Sequence, residues 1–115
     1  MNKYRDKSDF EINKAVAVSL GYTAEYENES VTVFRNNNGG MPLVVSLTAD
    51  SPDNFDPCNN PADAMPIIIE NKIDLTHLVG DMVCAKHKEY WCIRKNPYRA
   101  GCEVYLLMKD AENEK

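Results

Sequence analysis

The first regular pattern along the chain is a helical one. Residues Ser8 to Glu11 have the Ser-x-x-Glu form of a capping box, whose two side chains bond to free N–H groups at a helix start. Gly21 can adopt the left-handed conformation that ends helices. Between them, apolar and small residues recur at spacings of three and four: Ile12, Ala15, Val16, Ser19 and Leu20. The pattern predicts a first helix over residues 9–20.

Alternation of apolar and polar residues follows, which is the pattern of half-buried β-strands. Three runs alternate in this way, with a polar turn and an Asn- and Gly-rich loop between them: residues 22–26, 31–35 and 43–47. Hairpin-length links between such runs predict an antiparallel meander.

A second pair of runs, 82–86 and 90–94, predicts a hairpin that turns near His87 and Lys88. Tyr90 and Trp91 are neighbours on the second run, so their side chains point to opposite sheet faces. One aromatic ring is then expected on the outside, where it could belong to an interface. Residues 74–81, before this hairpin, are predicted to be a connection.

Two Asn-Pro steps predict the remaining helices. Asn60 and Asn96 can cap a helix, and the proline that follows each can occupy the first turn without losing a hydrogen bond. Helices over residues 61–72 and 97–109 follow. Pro66 predicts a kink or a separate first turn in the former, because its ring removes a backbone hydrogen bond.

The order of these elements is α-β-β-β-α-β-β-α. It predicts a single α+β domain over residues 1–115, with a mainly antiparallel sheet of about five strands and three helices packed on it. The terminal segments 1–7 and 110–115 are polar, and we expect them to be frayed.

Composition narrows the class of function. The chain has 115 residues, 43% of them hydrophobic and 27% charged, which is the balance of an ordinary globular protein. A net charge of −5 argues against a nucleic-acid partner, since a phosphate-backbone binder carries a basic stripe. No apolar run approaches the ~18 residues that span a membrane, and residues 1–7 lack the apolar core of a signal peptide. These features predict a cytosolic protein with no membrane partner.

The four cysteines are expected to be free thiols without a metal. They stand at Cys58, Cys84, Cys92 and Cys102, with no Cys-x-x-Cys pair. Cys84 and His87 have a metal-like spacing, but a zinc site needs more ligands. A cysteine–histidine nucleophile pair lacks an orienting third group, and the loop carboxylates Asp53, Asp56 and Asp63 are more typical of turns and caps. No catalytic residues and no cofactor are therefore predicted.

The polar loop 48–60 and the helix that follows it form the most distinctive stretch of the chain. Loops of this length usually have a role in function or packing. If both Asn-Pro helices start at the same end of the sheet, their dipoles converge with Arg99 and could hold an anion. The competing interpretation is structural: the two asparagines are ordinary caps, and Arg99 pairs with Asp63 or Asp56 to lock the loop onto the third helix. The structural interpretation is the favoured one.

Three sequence blocks carry a resemblance to a known family. They are Ser8-Asp9-Phe10-Glu11-Ile12-Asn13-Lys14, Cys58-Asn59-Asn60-Pro61-Ala62-Asp63-Ala64-Met65-Pro66-Ile67-Ile68-Ile69-Glu70-Asn71-Lys72-Ile73, and Asn96-Pro97-Tyr98-Arg99-Ala100 with Val104-Tyr105-Leu106-Leu107-Met108. Together they resemble the NinX-like family of small proteins of tailed phages and prophages. The family usually has Trp where this chain has Met65. That Trp could stack on a ligand or partner, or only pack on the sheet, where Met is a tolerable filler. The resemblance implies a phage-encoded protein in the bacterial cytoplasm, and it implies no reaction.

The sequence thus favours a non-enzymatic accessory protein that binds a host or phage protein, or itself as a homodimer through a sheet face or edge. The alternative is a small-ligand binder that sequesters an anionic metabolite or nucleotide at the 53–63 loop and the helix N-termini. The residues predicted to take part in binding are Asn59, Asn60, Asp63, Met65, Asn96 and Arg99.

Overall fold

The computed structural model describes residues 3–47 and 54–113 and has three helices and six strands in that part of the chain. The α+β class is confirmed. In chain order the elements are α1 (Asp9–Ser19), β1 (Tyr22–Glu27), β2 (Val31–Asn36), β3 (Leu43–Ser46), α2 (Pro61–Glu70), β4 (Asp74–His77), β5 (Val83–His87), β6 (Tyr90–Arg94) and α3 (Pro97–Asn113).

The helix starts are confirmed at the residues that the caps predicted. The Ser8 Oγ accepts a hydrogen bond from the Glu11 amide at 3.2 Å, and the Asn60 Oδ1 accepts one from the Ala62 amide at 3.0 Å. Helix α1 ends before Gly21, whose φ of +99° is the left-handed conformation expected of it. Helix α2 runs through Pro66 as one continuous element, so of the two predicted alternatives the separate first turn is wrong and the kink stays a prediction.

The strands form two sheets of three strands, so the single five-stranded sheet predicted from the sequence is wrong. One sheet has the order β1-β2-β3 and the other β4-β5-β6, and every pairing is antiparallel. The two sheets are separate, and residues 54 and 55 cover the outer edge of β3. The Phe55 amide donates to the Val44 carbonyl at 2.7 Å, and the Ser46 amide donates to the Asn54 side chain at 2.8 Å.

Strand β4 occupies part of the stretch that was predicted to be a connection. It pairs with β5 from Asp74 opposite Lys86 to His77 opposite Val83. Leu75 is the only apolar residue of the strand, and the other three side chains are exposed. An edge strand of this kind shows no alternation, because it contributes one side chain to the core.

Helix α3 is the central element of the hydrophobic core. It packs against α1, α2, β5 and β6, and all seven residues from Ala100 to Leu106 are buried. This matches the wide apolar surface of its sequence, since a helix covered on several sides lacks a polar stripe. One continuous core cluster includes residues of both sheets and of all three helices.

The described parts of the two chain ends, residues 3–7 and 110–113, contact each other, and the fraying predicted for 1–7 and 110–115 stays a prediction. Tyr4 is buried, and its hydroxyl donates a hydrogen bond to the Asp110 carboxylate. Lys3 forms an ion pair with the same carboxylate at 3.1 Å. Helix α3 continues to Asn113, four residues beyond its predicted end, and so provides the surface on which Tyr4 lies.

Candidate functional site

The N-termini of all three helices meet at one short loop, residues 56–60. The Asn59 Nδ2 donates to Asp9 Oδ2, in the first turn of α1, at 3.1 Å. The loop continues directly into α2 through its cap Asn60, and the Asn96 Nδ2, just before α3, donates to the Cys58 carbonyl at 2.6 Å. The convergence of two Asn-Pro helix starts that the anion hypothesis required is therefore present, with a third helix start beside them.

Asn96 joins the start of α3 to this loop. Its Oδ1 accepts hydrogen bonds from the Tyr98 and Arg99 amides at 2.9 and 3.3 Å, as an N-cap side chain does. Its Nδ2 donates to the Cys58 carbonyl and to the Asn59 Oδ1, the latter at 3.2 Å. All the hydrogen-bonding capacity of this amide is thus directed into the protein.

Two of the loop carboxylates, Asp56 and Asp63, are also held internally, and Asp53 lies outside the described residues. The Asp63 Oδ2, in the first turn of α2, accepts a hydrogen bond from the Asp56 amide at 3.0 Å. The Asp56 carboxylate accepts from Asn59 at 3.2 Å and from the Asn13 Nδ2 at 2.8 Å. Asp63 therefore closes the loop onto the helix it precedes, and its charge lies at the positive end of the α2 dipole.

Asn13 is a member of this network that the sequence reasoning missed. It is 3% exposed, and its Oδ1 accepts the Cys58 amide at 3.1 Å while its Nδ2 holds Asp56. A buried amide needs partners for both of its polar atoms, and loop 56–60 supplies them. The available signal was a polar residue next to Ile12 on the face of α1 that otherwise faces the core.

Arg99 does not pair with Asp63 or Asp56, so the predicted loop clamp is wrong. Its Nη1 donates to Asp9 Oδ1 at 2.6 Å and its Nε to Glu103 Oε2 at 2.7 Å. Its Nη2 donates to the carbonyls of Tyr4 and Lys7 at 2.9 and 2.7 Å. Arg99 therefore fastens the N-terminal segment 3–8, and the start of α1, onto α3.

The environment of Arg99 explains a cation in the first turn of a helix, where the dipole opposes it. Burial disfavours the charged guanidinium, but its hydrogen bonds to Glu103 and Asp9 outweigh that cost and raise the pKa of Arg99. The arginine is thus neutralised by two carboxylates of the same chain. An external anion would have to displace Asp9 to reach it.

Glu103, like Asn13, is a buried polar residue of this region that was not predicted from the sequence. It is 0% exposed and receives hydrogen bonds from Arg99 and from both Nε and Nη2 of Arg94, the last two at 2.9 and 2.7 Å. A carboxylate flanked by two guanidiniums satisfies the condition under which a buried charge is tolerated. The signal was a lone charge within the apolar run of residues 100–108.

Five of the six predicted binding residues thus come together around loop 56–60, and the sixth does not. Met65 lies on α2, is half-buried and packs against the core. Within residues 3–47 and 54–113, every buried side-chain nitrogen and oxygen has a hydrogen-bond partner, and no three acidic, cysteine or histidine side chains are placed to hold a metal. The geometry of this region is that of a structural junction.

A concave surface of the described chain lies elsewhere, along strand β6. This feature, the β6 groove, has a volume of about 730 Å³. Its walls come from strand β6 with Glu89, from Leu107, Asp110 and Ala111 on one face of α3, and from Lys3 and Arg5 of the N-terminal segment. Trp91, the single tryptophan of the chain, lines it and is 56% exposed.

The opposite walls of the β6 groove are connected through the buried Glu103. Arg94, on the strand wall, is bound to Glu103, and Glu103 is bound to Arg99, which holds the carbonyls of Tyr4 and Lys7. The β6 groove is therefore preformed, since its walls are fixed to one another by charge-assisted hydrogen bonds.

Three thiols of the chain are buried, and the fourth, Cys84, is half-buried. The Cys92 Sγ donates to the Ala100 carbonyl at 3.3 Å, which attaches β6 to α3. Burial, followed by the nearby negative charge of Glu103, raises the pKa of Cys92 to about 12. A thiol with a raised pKa is a poor nucleophile at neutral pH, so Cys92 serves packing in this environment.

The family model described as Bacteriophage P22, NinX matches residues 3–109 of the chain. The chain belongs to this family. The matched region includes the junction around loop 56–60, all of β6 and most of α3, so both regions are parts of the family domain. No curated protein and no solved structure shows significant similarity to the chain. In the described part of the chain, no helix has the length and apolar character needed to cross a membrane.

Proposed function

We propose that this phage-family protein is a non-enzymatic accessory protein that acts in the host cytoplasm by binding another protein through the β6 groove. The observation that carries the proposal is the position of Trp91, more than half exposed beside a preformed groove. Tryptophan is among the residues most enriched at the energetic centres of protein interfaces. A large ring left in water at a concave site supports a role in recognition, because burying it against a partner yields apolar area that folding has not used.

The chemistry of the β6 groove also fits a polypeptide partner. Leu107, Ala111 and the buried Cys92 give it an apolar floor, and charged residues stand at its rim. Apolar centres with polar rims are typical of protein interfaces. The proposed partner is a host or phage protein, and a second copy of this chain is the other candidate.

The alternative function, capture of an anionic metabolite or nucleotide at loop 53–63 and the helix N-termini, has less support. The groups that would hold the anion, Arg99, Asn96 and Asn59, are all hydrogen-bonded to other residues of the chain. Asp9, Asp56 and Asp63 already place negative charge at the same helix starts. A ligand would therefore gain only the difference between its own contacts and those it displaces.

Site-specific photocrosslinking in infected bacteria tests the proposal. A benzophenone amino acid is placed at position 91 in one version of the protein and at position 26 in another. Tyr26 is the matched control, because it is an aromatic residue on a strand outside the β6 groove and is also 56% exposed. We expect one polypeptide to be crosslinked from position 91 and not from position 26.

The crosslinked polypeptide is then purified and titrated against the wild type, Trp91→Ala and Tyr26→Ala. We expect Trp91→Ala to weaken binding at least tenfold, which corresponds to about 1.4 kcal/mol or more, and Tyr26→Ala to leave it unchanged. Equal crosslinking from both positions, or equal affinity of the two variants, would contradict the proposal. Sedimentation of the purified chain tests the homodimer. A homodimer through the β6 groove predicts that the measured mass falls on dilution for the wild type and not for Trp91→Ala.

A further inference from the structure

We infer that the β6 groove receives an extended polypeptide segment that pairs with the outer edge of β6 at Trp91 and places an acidic side chain against Arg5. This inference rests on the proposed function and specifies the chemistry of the partner. It follows from the position of β6 in its sheet, the direction of its backbone groups and the charges at the groove rim.

Strand β6 is an edge strand, because the sheet order is β4-β5-β6. The β6 groove is lined by all five residues from 90 to 94. Alternate residues of a strand point to opposite faces, so a groove that contacts all five runs along the edge and not over one face. An occupant of the β6 groove therefore lies parallel to the strand.

The pairing register shows which backbone groups face that occupant. Lys88 and Glu89 form a two-residue turn between β5 and β6, and His87 is paired with Tyr90. In such a hairpin the pair next to the turn exchanges both hydrogen bonds, and bonded and non-bonded pairs then alternate. Trp91 and Ile93 belong to the non-bonded pairs, so their amides and carbonyls point away from β5.

The Arg94 side chain confirms this direction and limits where a partner can pair. Its Nη1 donates to the Ile93 carbonyl at 2.7 Å, which places that carbonyl on the outer side of the strand. The guanidinium covers one outward position in the way that charged side chains protect sheet edges from unselective pairing. The outward amide and carbonyl of Trp91, the second residue of the strand, are the position at which an incoming strand can bond.

The length of β6 sets the size of the segment. Five residues of β-strand span about 17 Å, so the β6 groove accommodates four or five residues of an extended chain. The side chains of that segment would alternate between the apolar floor at Leu107 and Ala111 and the charged rim. Strand addition of this kind takes affinity from main-chain bonds and specificity from alternate side chains.

The rim charges favour an acidic residue in the occupant. Lys3 is paired with Asp110, and Arg94 is paired with the buried Glu103. Arg5 is exposed and has no ion pair within residues 3–47 and 54–113. A cation without an ion-pair partner at the groove rim is complementary to an acidic side chain of the occupant. Glu89, the other rim charge without an ion pair in the same part of the chain, would face a basic or neutral residue of that segment.

Selection from a library of random 12-residue peptides tests the inference. The library is selected on the full chain and depleted on Trp91→Ala, and the affinities of the selected peptides are measured by fluorescence anisotropy. We expect enrichment of Asp or Glu at one position and of apolar residues at alternate positions beside it. Arg5→Glu should weaken these peptides at least tenfold, while Arg35→Glu, at an exposed arginine outside the β6 groove, should change affinity less than twofold.

N-methylation of single peptide amides tests the strand pairing. Methylation removes one backbone donor, and we expect one position to lose at least tenfold in affinity while its neighbours, which point away from β6, lose less than twofold. Trp91-dependent peptides without an acidic position, or with uniform tolerance of N-methylation, would overturn this inference and leave the proposed function standing. A selection that enriches no Trp91-dependent peptide would overturn both.

Discussion

Replacement of Arg99 by alanine tests the arrangement around loop 56–60 and the N-terminal segment. The side chain makes four hydrogen bonds at 2.6 to 2.9 Å, two to carboxylates and two to backbone carbonyls. A bond to a charged group contributes about 1.5–3 kcal/mol, and a neutral one about 1 kcal/mol. A simple sum would exceed the real effect, because contributions of neighbouring contacts are not additive.

The structure shows which parts of that sum are lost. Glu103 is fully buried but keeps Arg94 as a partner, so its charge is not left alone. The Asp9 side chain is 46% exposed and can be hydrated again. The carbonyls of Tyr4 and Lys7 lie in a terminal segment that can move into water. We therefore expect Arg99→Ala to lower the free energy of unfolding by roughly 2–4 kcal/mol, near the cost of breaking a buried ion pair.

Urea unfolding followed by circular dichroism measures this loss. Arg35→Ala is the matched control, because Arg35 has only an exposed ion pair with Glu25 at 3.7 Å and should lose less than about 1 kcal/mol. Arg99→Lys should recover part of the loss, since lysine keeps the charge without the planar fork. A loss for Arg99→Ala no greater than for Arg35→Ala would refute the reasoning.

Phosphate separates the structural role of Arg99 from anion binding. At matched ionic strength, phosphate should shift the unfolding midpoints of the wild type and of Arg99→Ala by the same amount, because it acts only by exclusion from the surface. Stabilisation of the wild type alone would show that the helix N-termini hold an anion.

Three further predictions concern packing and the thiols. Gly101→Ala should lower the free energy of unfolding, measured in urea, by about 1 kcal/mol, because its Cβ would lie 2.6 Å from Ile68 Cδ1 and overpacking outweighs the gain in helix propensity. Adding Ile68→Val to this variant should restore part of the lost stability. In the native protein a thiol reagent should modify Cys84 first and the three buried cysteines only on unfolding, and fast reaction of all four would contradict the packing. The free energy of unfolding should fall as pH rises above about 9, because the Cys92 thiol of the unfolded chain then loses a proton that the folded chain retains up to its pKa of about 12. Cys92→Ala should reduce the slope of unfolding free energy against pH by at most about 1.4 kcal/mol per pH unit. An unchanged slope in this variant would contradict the prediction.

Local signals in the sequence were sufficient for the helices. The capping box at Ser8 and the two Asn-Pro steps placed three helix starts, because a cap depends on a few residues close together in the chain. The ends of helices were less well predicted. Helix α3 continues beyond 109, where Asp110 is held by Tyr4 and Lys3, more than a hundred positions away in the chain.

The division into two sheets could not be predicted from strand patterns alone. The edge of β3 is closed by bonds from residues 54 and 55, which lie in a polar loop that contains no strand signal. Strand β4 contributes one side chain to the core, so it has no alternation to detect. In both cases the deciding information is backbone hydrogen bonding, which the identity of the side chains specifies poorly.

In the candidate site, too, the sequence predicted which residues come together better than it predicted their hydrogen-bond partners. The sequence identified Asn59, Asn60, Asp63, Asn96 and Arg99 as a group, because both helix starts combine a cap with nearby charge. It assigned the wrong partners to Arg99, since Asp9 and Glu103 compete with Asp56 and Asp63 for a guanidinium whose direction depends on tertiary packing. The β6 groove had only a weak signal in the sequence, the pair Tyr90 and Trp91 on opposite sheet faces.

The most direct test of protein binding through the β6 groove is backbone amide NMR of the isotope-labelled chain, alone and with the polypeptide crosslinked from position 91. The account predicts that the Trp91 amide becomes protected from hydrogen exchange and that shifts concentrate at Trp91, Leu107 and Ala111. Shifts concentrated at Asn59 and Asn60, with the Trp91 amide unchanged, would contradict it and place the contact at the helix N-termini.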